Sequence, residues 1–308
     1  MTSLPVIAVT VGDPSGIGPE IAANASADRR VKAVCRPVIY GPTTVEELAA
    51  YPVGVVNADA GQRAYDEVVR AVADCRAGRV DAVATAPINK AAFAAAGLPW
   101  RGHTDLLAHL CGVGDAVMMF WSDTLRVVLA TVHIPLADVP RALTSDRMQR
   151  TIGVTAASLP KFGITNPRIA VAGLNPHAGE DGLLGREELE QIGPAIQAAR
   201  ATGIDVTGPF PADTIFVRAS RGEFDAVIAC YHDQGLIPVK LLAFGTAVNV
   251  TLGLPIIRTS VDHGTAFDIA RQGKADEGSM VEAILLAARL ATPTPTSLEG
   301  AFQPHGVR

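Results

Sequence analysis

The stretch Val6-Ile7-Ala8-Val9-Thr10-Val11, which runs straight into Gly12-Asp13-Pro14-Ser15-Gly16-Ile17-Gly18-Pro19-Glu20, decides how the chain folds. An apolar run of mostly β-branched residues, without polar alternation, reads as a strand buried on both faces, as in a parallel sheet covered by helices. The Gly and Pro residues that follow break the strand, and a helix is expected from about Ile17. The same alternation continues downstream. Further strands are expected over 80–84, 126–132, 168–172, 224–229 and 247–250, and helices over 62–77, 147–159, 187–201 and 277–290. The first of these helices carries Val68, Val69, Val72 and Ala73 on one face. Strands alternating with amphipathic helices predict an α/β fold with a largely parallel sheet. No internal repeat or obvious linker divides the chain, so any domains should be interleaved. The tail after Thr292, with Pro293, Pro295 and Pro304, is expected to fray.

Composition narrows the function. At 308 residues and 48% hydrophobic, the chain can bury a full core, and disorder is excluded. Its 26 basic and 31 acidic residues, with no run of either sign, leave no footprint for nucleic acid or for an acidic membrane. Partners should be small molecules or a second copy of the chain. Cys35, Cys75, Cys111 and Cys230 lie far apart without a Cys-x-x-Cys pair, which fits reduced thiols in the cytoplasm better than disulfides or structural zinc. The N-terminus has no basic leader, and no apolar run approaches a membrane span, so a cytoplasmic location is expected.

Nearly every polar motif follows an expected strand directly, where loops and helix N-termini of parallel α/β sheets converge on ligands. The 12–20 turn suits an anion, yet it is neither Gly-x-Gly-x-x-Gly nor a P-loop, and a plain strand-to-helix turn explains it equally well. Thr85-Ala86-Pro87-Ile88-Asn89-Lys90 and Gly102-His103-Thr104-Asp105 bring a lysine, an imidazole and a hydroxyl to such loops, where they could grip a phosphate or carboxylate. The chain has only five lysines, so any lysine beside Gly, Pro and His motifs is a candidate for chemistry. Thr104 and Asp105 also read as the N-cap of a helix over 106–111. His133 in Thr131-Val132-His133-Ile134-Pro135, His177 in Asn175-Pro176-His177-Ala178-Gly179-Glu180 and His232 in Tyr231-His232-Asp233-Gln234-Gly235 sit at strand ends. Three imidazoles with open positions suit a catalytic divalent metal such as zinc, although each alone reads as a hydrogen-bonded loop histidine. Lys240, Asn249 and Arg258 follow, then Thr259-Ser260-Val261-Asp262-His263-Gly264-Thr265. Arg258 and Lys240 could fork onto a phosphate or serve as ion-pair partners.

Taken together, the motifs GDPSGIGPE (12–20), TAPINK (85–90), GHTD (102–105), LNPHAGE (174–180), YHDQG (231–235), NVTLGLP (249–255) and IRTSVDHGTA (257–266) resemble the 4-hydroxythreonine-4-phosphate dehydrogenase family. The resemblance implies an isocitrate/isopropylmalate dehydrogenase-like fold: two interleaved α/β domains with the active site in the cleft between them. Residues 1–130 and 245–308 would form the cofactor side, and 131–244 the metal-binding and dimerisation side. It implies that His133, His177 and His232 hold one divalent ion, zinc first and magnesium or cobalt as alternatives. The site would be shared across a homodimer, with His133 and His177 from one chain and His232 from the other. It also implies that His103, Thr104, Lys240, Asn249 and Arg258 hold the phosphorylated substrate. The segment with His263, Gly264, Thr265, Ala266 and Asp268 would lie against the adenosine half of NAD or NADP, which explains the missing Rossmann fingerprint. Two features depart from the family: the 41–61 stretch is short, and Arg271 replaces a glycine at the cofactor edge, where an arginine can favour a 2′-phosphate.

The reaction implied is oxidation of a secondary hydroxyl by hydride transfer to NAD or NADP, then decarboxylation of the β-keto acid, with Asp233 or Lys240 relaying the proton. In the family the substrate is 4-phosphohydroxy-L-threonine, on the route to pyridoxal 5′-phosphate. The rivals are a dehydrogenase for threonate or erythronate 4-phosphate, a cis-dihydrodiol dehydrogenase of aromatic degradation, a three-histidine zinc hydrolase, and a catalytically silent binding protein. A phosphate clamp argues against the dihydrodiol, because it would leave cations unpaired.

Overall fold

Ile7, Ala8 and Val9 are fully buried in the first strand, as the apolar run demands. The computed structural model describes residues 3–292, so the tail with Pro293, Pro295 and Pro304 lies outside the described residues. The strands are β1 (Val6–Thr10), β2 (Arg36–Tyr40), β3 (Ala82–Thr85), β4 (Val117–Trp121), β5 (Arg126–Leu129), β6 (Ile169–Ala172), β7 (Val206–Phe210), β8 (Ala226–Ala229), β9 (Val248–Leu252) and β10 (Ile257–Ser260). They form one continuous sheet in the order β2-β1-β3-β10-β9-β4-β5-β8-β6-β7. Pairing is parallel at both ends of the sheet and antiparallel in the middle, where β10 meets β9, β9 meets β4 and β4 meets β5.

That antiparallel centre shapes the molecule. Parallel neighbours need crossover connections, whose helices cover the sheet faces; antiparallel neighbours can be joined by tight hairpins that cover nothing. The β4–β5 and β9–β10 connections are such hairpins, the former closed by Ser122 and Leu125. On one face a shared layer persists. The Gly278–Ala291 helix places Met280, Val281, Ile284 and Ala287 against Ile17, Ile21 and Ala25 of the first half. From the same helix, Ala283, Leu286 and Leu290 join Met148, Ile152 and Ile196 of the second half. On the other face the cover is split. Ala64, Val68 and Val72 of the Ala58–Arg76 helix pack with Phe93, Leu106 and Leu107 at one end. The Ala212–Ser220 and His232–Ala243 helices pack on β5, β6 and β8 at the other end. A cleft remains between them over the antiparallel strands.

Local chemistry sets the element ends. The helix expected over 187–201 begins as a π-helical turn, Glu188–Ile192, before the α-helix Gly193–Ala201. The expected cap at Thr104 and Asp105 needs correction. The helix is His103–Cys111, its cap residue is Gly102, and neither Thr104 nor Asp105 caps it. Starting one turn position earlier places both in the first turn, where the Gly102 carbonyl accepts the first bond from the Leu106 N–H. No helix among the described residues is long and apolar enough to cross a membrane.

The tightest joint lies where β1 hands over to the Gly18–Ala27 helix. A Cβ built on Gly18 would stand 1.8 Å from the Val11 carbonyl oxygen, a backbone atom that cannot swing away. Gly18→Ala should therefore cost about 1–3 kcal/mol through overpacking, read as a lowered urea midpoint at unchanged slope. A midpoint equal to that of the parent would contradict this packing.

Candidate active site

The cleft over the antiparallel strands encloses a cavity of about 1230 Å³. Lys90, Trp100, His103 and Thr104 line one side, Asn249, Arg258 and Ser260 the bottom, and Val132, His133 and His232 the opposite side. His263 and Gly264 stand at its edge. Two strand ends and one helix start converge here: the β3 loop delivers Lys90, the turn after β5 delivers His133, and the helix after β8 delivers His232.

Arg258 dominates the electrostatics of the cavity. It is 2% exposed, and its guanidinium donates to Thr251 Oγ1 at 3.0 Å and to Thr85 Oγ1 at 2.6 Å, both neutral acceptors. Its Nε has no partner, and no carboxylate pairs with it among the described residues. Burial pushes its pKa down to about 9, which leaves it charged at neutral pH. A buried cation without a counter-ion is costly, so the arrangement is complete only with an anion in the cavity. Two more orphans lie beside it. His103 Nε2 and Asn249 Oδ1 are buried without partners. Burial first, and the Arg258 charge second, hold His103 well below the ordinary imidazole range, so it meets an anion as a neutral hydrogen-bonding ring. The unpartnered Arg258 Nε–H calls for an acceptor, the neutral His103 ring can donate to one, and Asn249 Oδ1, itself an acceptor, lacks a donor.

The three histidines do not all lie together within one chain. His133 and His232 stand together in one chain with ring centroids 5.5 Å apart, whereas the resemblance separates them. The pairing follows from β5 and β8 being parallel neighbours, whose ends release both residues at the same sheet edge. Burial, then the positive charge of Lys90 and the second imidazole, lowers the His133 pKa and keeps its ring lone pair available. His232 Nδ1 lies 2.7 Å from Asp233 Oδ1, which fixes the ring and leaves Nε2 toward a ligand. His177 is elsewhere. It lies outside the cavity lining, with 62% of its side chain exposed and Nδ1 2.8 Å from Glu180 Oε1, an equivalent carboxylate support. Its loop runs left-handed from His177 to Asp181, with only one glycine among five positive-φ residues. Buried Glu188 anchors that loop by accepting the Leu174 and Asn175 N–H groups at 2.8 Å each. Among the described residues of one chain, no group of three or more His, Cys, Asp or Glu side chains could hold a metal ion. His232, supported by a carboxylate, and His133 beside it line the cleft, while His177, also carboxylate-supported, is displayed outward.

The 12–20 turn builds the edge near His263. Ile17 N–H donates to the Thr265 carbonyl at 3.0 Å, and a Cβ on Gly16 would meet that same oxygen at 2.6 Å. Thr265, Ala266 and Phe267 therefore pack on the turn, and Thr265, Ala266 and Asp268 lie outside the cavity lining that His263 and Gly264 join. Arg271 braces this region. Its guanidinium donates to the Pro14 and Tyr51 carbonyls at 3.1 Å each, so the short 41–61 segment and the turn are tied together by a residue the sequence offers as a 2′-phosphate reader. Lys240 is exposed on the His232–Ala243 helix and does not line the cavity. Neighbouring Ile237, Leu241 and Phe244 are 67%, 83% and 79% exposed, an apolar patch that surrounds it. Sequence reasoning missed Thr85 and Thr251 as the partners of Arg258, since only strand order sets the β9–β10 hairpin beside the distant β3.

The sequence model of the family described as pyridoxal phosphate biosynthetic protein PdxA matches residues 10–287. A D-threonate 4-phosphate dehydrogenase from Cupriavidus necator is 45% identical over 94% of this chain and 98% of its own length. A 4-hydroxythreonine-4-phosphate dehydrogenase from Desulforapulum autotrophicum is also 45% identical, over 94% of this chain and 96% of its own. The solved structure of the 4-hydroxythreonine-4-phosphate dehydrogenase from Klebsiella pneumoniae superposes with a TM-score of 0.85 at 42% identity, covering 94% of this chain and all of that one.

Asp13, at the heart of the turn, is fully buried; Oδ1 accepts the Ser15 N–H at 2.8 Å and Oδ2 has no partner. Burial, partly offset by that hydrogen bond, raises its pKa to about 6. Because the folded value lies above the unfolded one, the folded state binds the proton more tightly. Stability therefore falls as pH rises from about 4 through 6, by up to roughly 3 kcal/mol. Asp13→Asn keeps the acceptor and removes the charge, so the variant should be more stable than the parent above pH ~6.5 and equal to it near pH ~4. Thermal unfolding across that range checks this, and parallel curves for the two proteins would contradict it.

Proposed function

The chain belongs to the pyridoxal phosphate biosynthetic protein PdxA family, and on that premise we propose that the cleft oxidises a secondary hydroxyl of a small phosphorylated hydroxy acid with NAD or NADP and one divalent ion, zinc first. The first substrate is 4-phosphohydroxy-L-threonine, with decarboxylation of the β-keto acid following oxidation. D-Threonate or erythronate 4-phosphate is the alternative, favoured by a threonate-phosphate relative as similar as the hydroxythreonine-phosphate one. The observation that carries the reading is the buried Arg258 without a counter-ion, facing a cleft that also holds two imidazoles. A substrate without phosphate, such as a cis-dihydrodiol, would leave that cation uncompensated. Family membership sets aside the zinc hydrolase and the silent binder.

Arg258, His103, Asn249 and the Thr104 hydroxyl take the phosphate, which fixes the carbon chain across the cleft. His133 and His232 of one chain, with the partner's His177, hold the ion. A divalent ion there supplies positive charge beside the hydroxyl oxygen, and the nicotinamide supplies the hydride acceptor. Asp233 orients His232 through Nδ1, and Asp233 or Lys240 relays the proton. His263, Gly264, Thr265, Ala266 and Asp268 form the adenosine side. Lys240 and its apolar patch face the second subunit of a homodimer, where the lysine serves the neighbouring site. Residues 131–244 then carry dimerisation, 1–130 with 245–308 carry the cofactor, and the enzyme works in the cytoplasm.

The reading is tested by turnover of phosphorylated hydroxy acids with each dinucleotide, with and without a chelator. Activity should require phosphate and fall on chelation; a chelator-resistant rate removes the metal role. Sharing is tested by subunit exchange between inactive variants. A His177→Ala and His232→Ala mixture should regain up to about a quarter of parental activity, since half the dimers are mixed and half their sites are whole. A His133→Ala and His232→Ala mixture should regain none, because those ligands come from one chain. Recovery in the second mixture would overturn this division.

A further inference from the structure

We propose that Glu188 is a positioning residue for the metal site: it holds His177 in the backbone form that reaches the partner subunit's cleft, without touching the ion. The inference rests on the shared-site reading proposed above. The loop is left-handed from His177 to Asp181, and four of those five residues carry a side chain. Each of the four incurs the clash between Cβ and carbonyl oxygen that disfavours this region, so the run persists only where surrounding groups impose it. Within the loop, the N–H groups of Ala178, Leu183 and Leu184 close turns on the Asn175, Glu180 and Gly179 carbonyls. These bonds shape the turns; Glu188 ties them to the rest of the fold. It is 4% exposed, Oε1 accepts the Leu174 and Asn175 N–H groups, and Oε2 accepts from Asn175 Nδ2 at 2.9 Å. A Cβ on Gly173, just after β6, would stand 3.2 Å from Oε1, and one on Gly179, inside the left-handed run, 2.7 Å from Oε2. The carboxyl group thus lies against both the strand end that starts the loop and the run that carries His177. Its own place is rigid, because Ile192, Ala195 and Ile196 of the helix it begins sit in the core. Both carboxyl oxygens accept, whereas one terminal atom of a glutamine would donate and so oppose a donor of the knot. Glu188 itself lies outside the cavity lining, so its influence on the ion passes through His177.

Equilibrium dialysis of the full chain against zinc alone tests the assignment. Glu188→Gln should weaken zinc binding by about tenfold or more, as expected when the support of a metal ligand is removed. Subunit exchange then shows which site the lesion empties. Mixed with His232→Ala, Glu188→Gln should regain about a quarter of the parent's tight zinc sites, because half the dimers are mixed and each has one whole site. Mixed with His177→Ala it should regain none, since both lesions strike the ligand that each chain lends to the other. Sites regained in the first mixture also show that the Glu188→Gln chain folds and keeps its own His133 and His232 competent. Should that variant not fold, Gly179→Ala, whose Cβ would press on Glu188 Oε2, takes its place in both mixtures with the same expected pattern. The proposal is overturned if Glu188→Gln binds zinc as the parent does, if the first mixture regains no sites, or if sites return with His177→Ala instead. The His177→Ala and His232→Ala mixture judges the shared site separately. A parent that binds no zinc, or no sites regained in that mixture, sinks both readings, whereas recovery there beside parental zinc affinity in Glu188→Gln sinks this one alone.

Discussion

A guanidinium buried without a counter-ion is the constraint on which the site depends. Arg258 emerges from β10, is held by hydroxyls from β3 and β9, and presents its remaining hydrogen-bonding capacity to the cleft. Neutral hydroxyls orient the cation without neutralising it, so its charge stays available for a ligand. A carboxylate partner in the same place would stabilise the empty protein and abolish the demand for an anion. The neutral state of His103 follows from the same source, since burial and the neighbouring Arg258 charge act in one direction.

The cleft that receives this charge follows from strand direction. Two hairpins in the middle of an otherwise parallel sheet leave one face without crossover helices, while the Gly278–Ala291 helix holds both halves together on the opposite face. The bottom of the cleft is accordingly rigid, being backed by core, and its sides belong to separate helical layers. Substrate groups fixed at the bottom thus lie between the residues of both sides, the geometry that a reaction between a bound substrate and a second bound molecule requires.

The imidazoles extend the same logic beyond one chain. A carboxylate-supported His177 displayed in solvent, on a loop held in left-handed backbone by Glu188, has little use within its own subunit. Leu183, Leu184 and Leu189 nearby are 78%, 42% and 47% exposed, and Ile237, Leu241 and Phe244 add a second apolar area. Exposed apolar surface of this extent is characteristic of association, and these patches lie on the elements that carry His177 and His232.

The α/β class, the main strand-helix alternation, the family and the grouping of polar motifs at strand ends were legible in the sequence, because burial imposes a local period and motif spacing survives without coordinates. The strands β2, β4, β7 and β10 and the helices Ala212–Ser220 and His232–Ala243 were not. The His232–Ala243 helix contains Gly235 and Pro238, which read as breakers, yet a Cβ on Gly235 would come within 2.7–3.1 Å of Leu129, Val127 and Ala229, so the glycine is what lets the helix lie against the sheet. His103, Thr104, Asn249, Arg258, His133, His232, His263 and Gly264 were named from their motifs, and the fold gathers them around one cavity. Which histidines share a chain, that Arg271 braces the turn, and that Lys90 lines the cavity while Lys240 does not were decided only by the tertiary structure. Motif spacing records which residues lie near one another along the chain, whereas strand order and register determine which distant ends meet and which way each side chain faces.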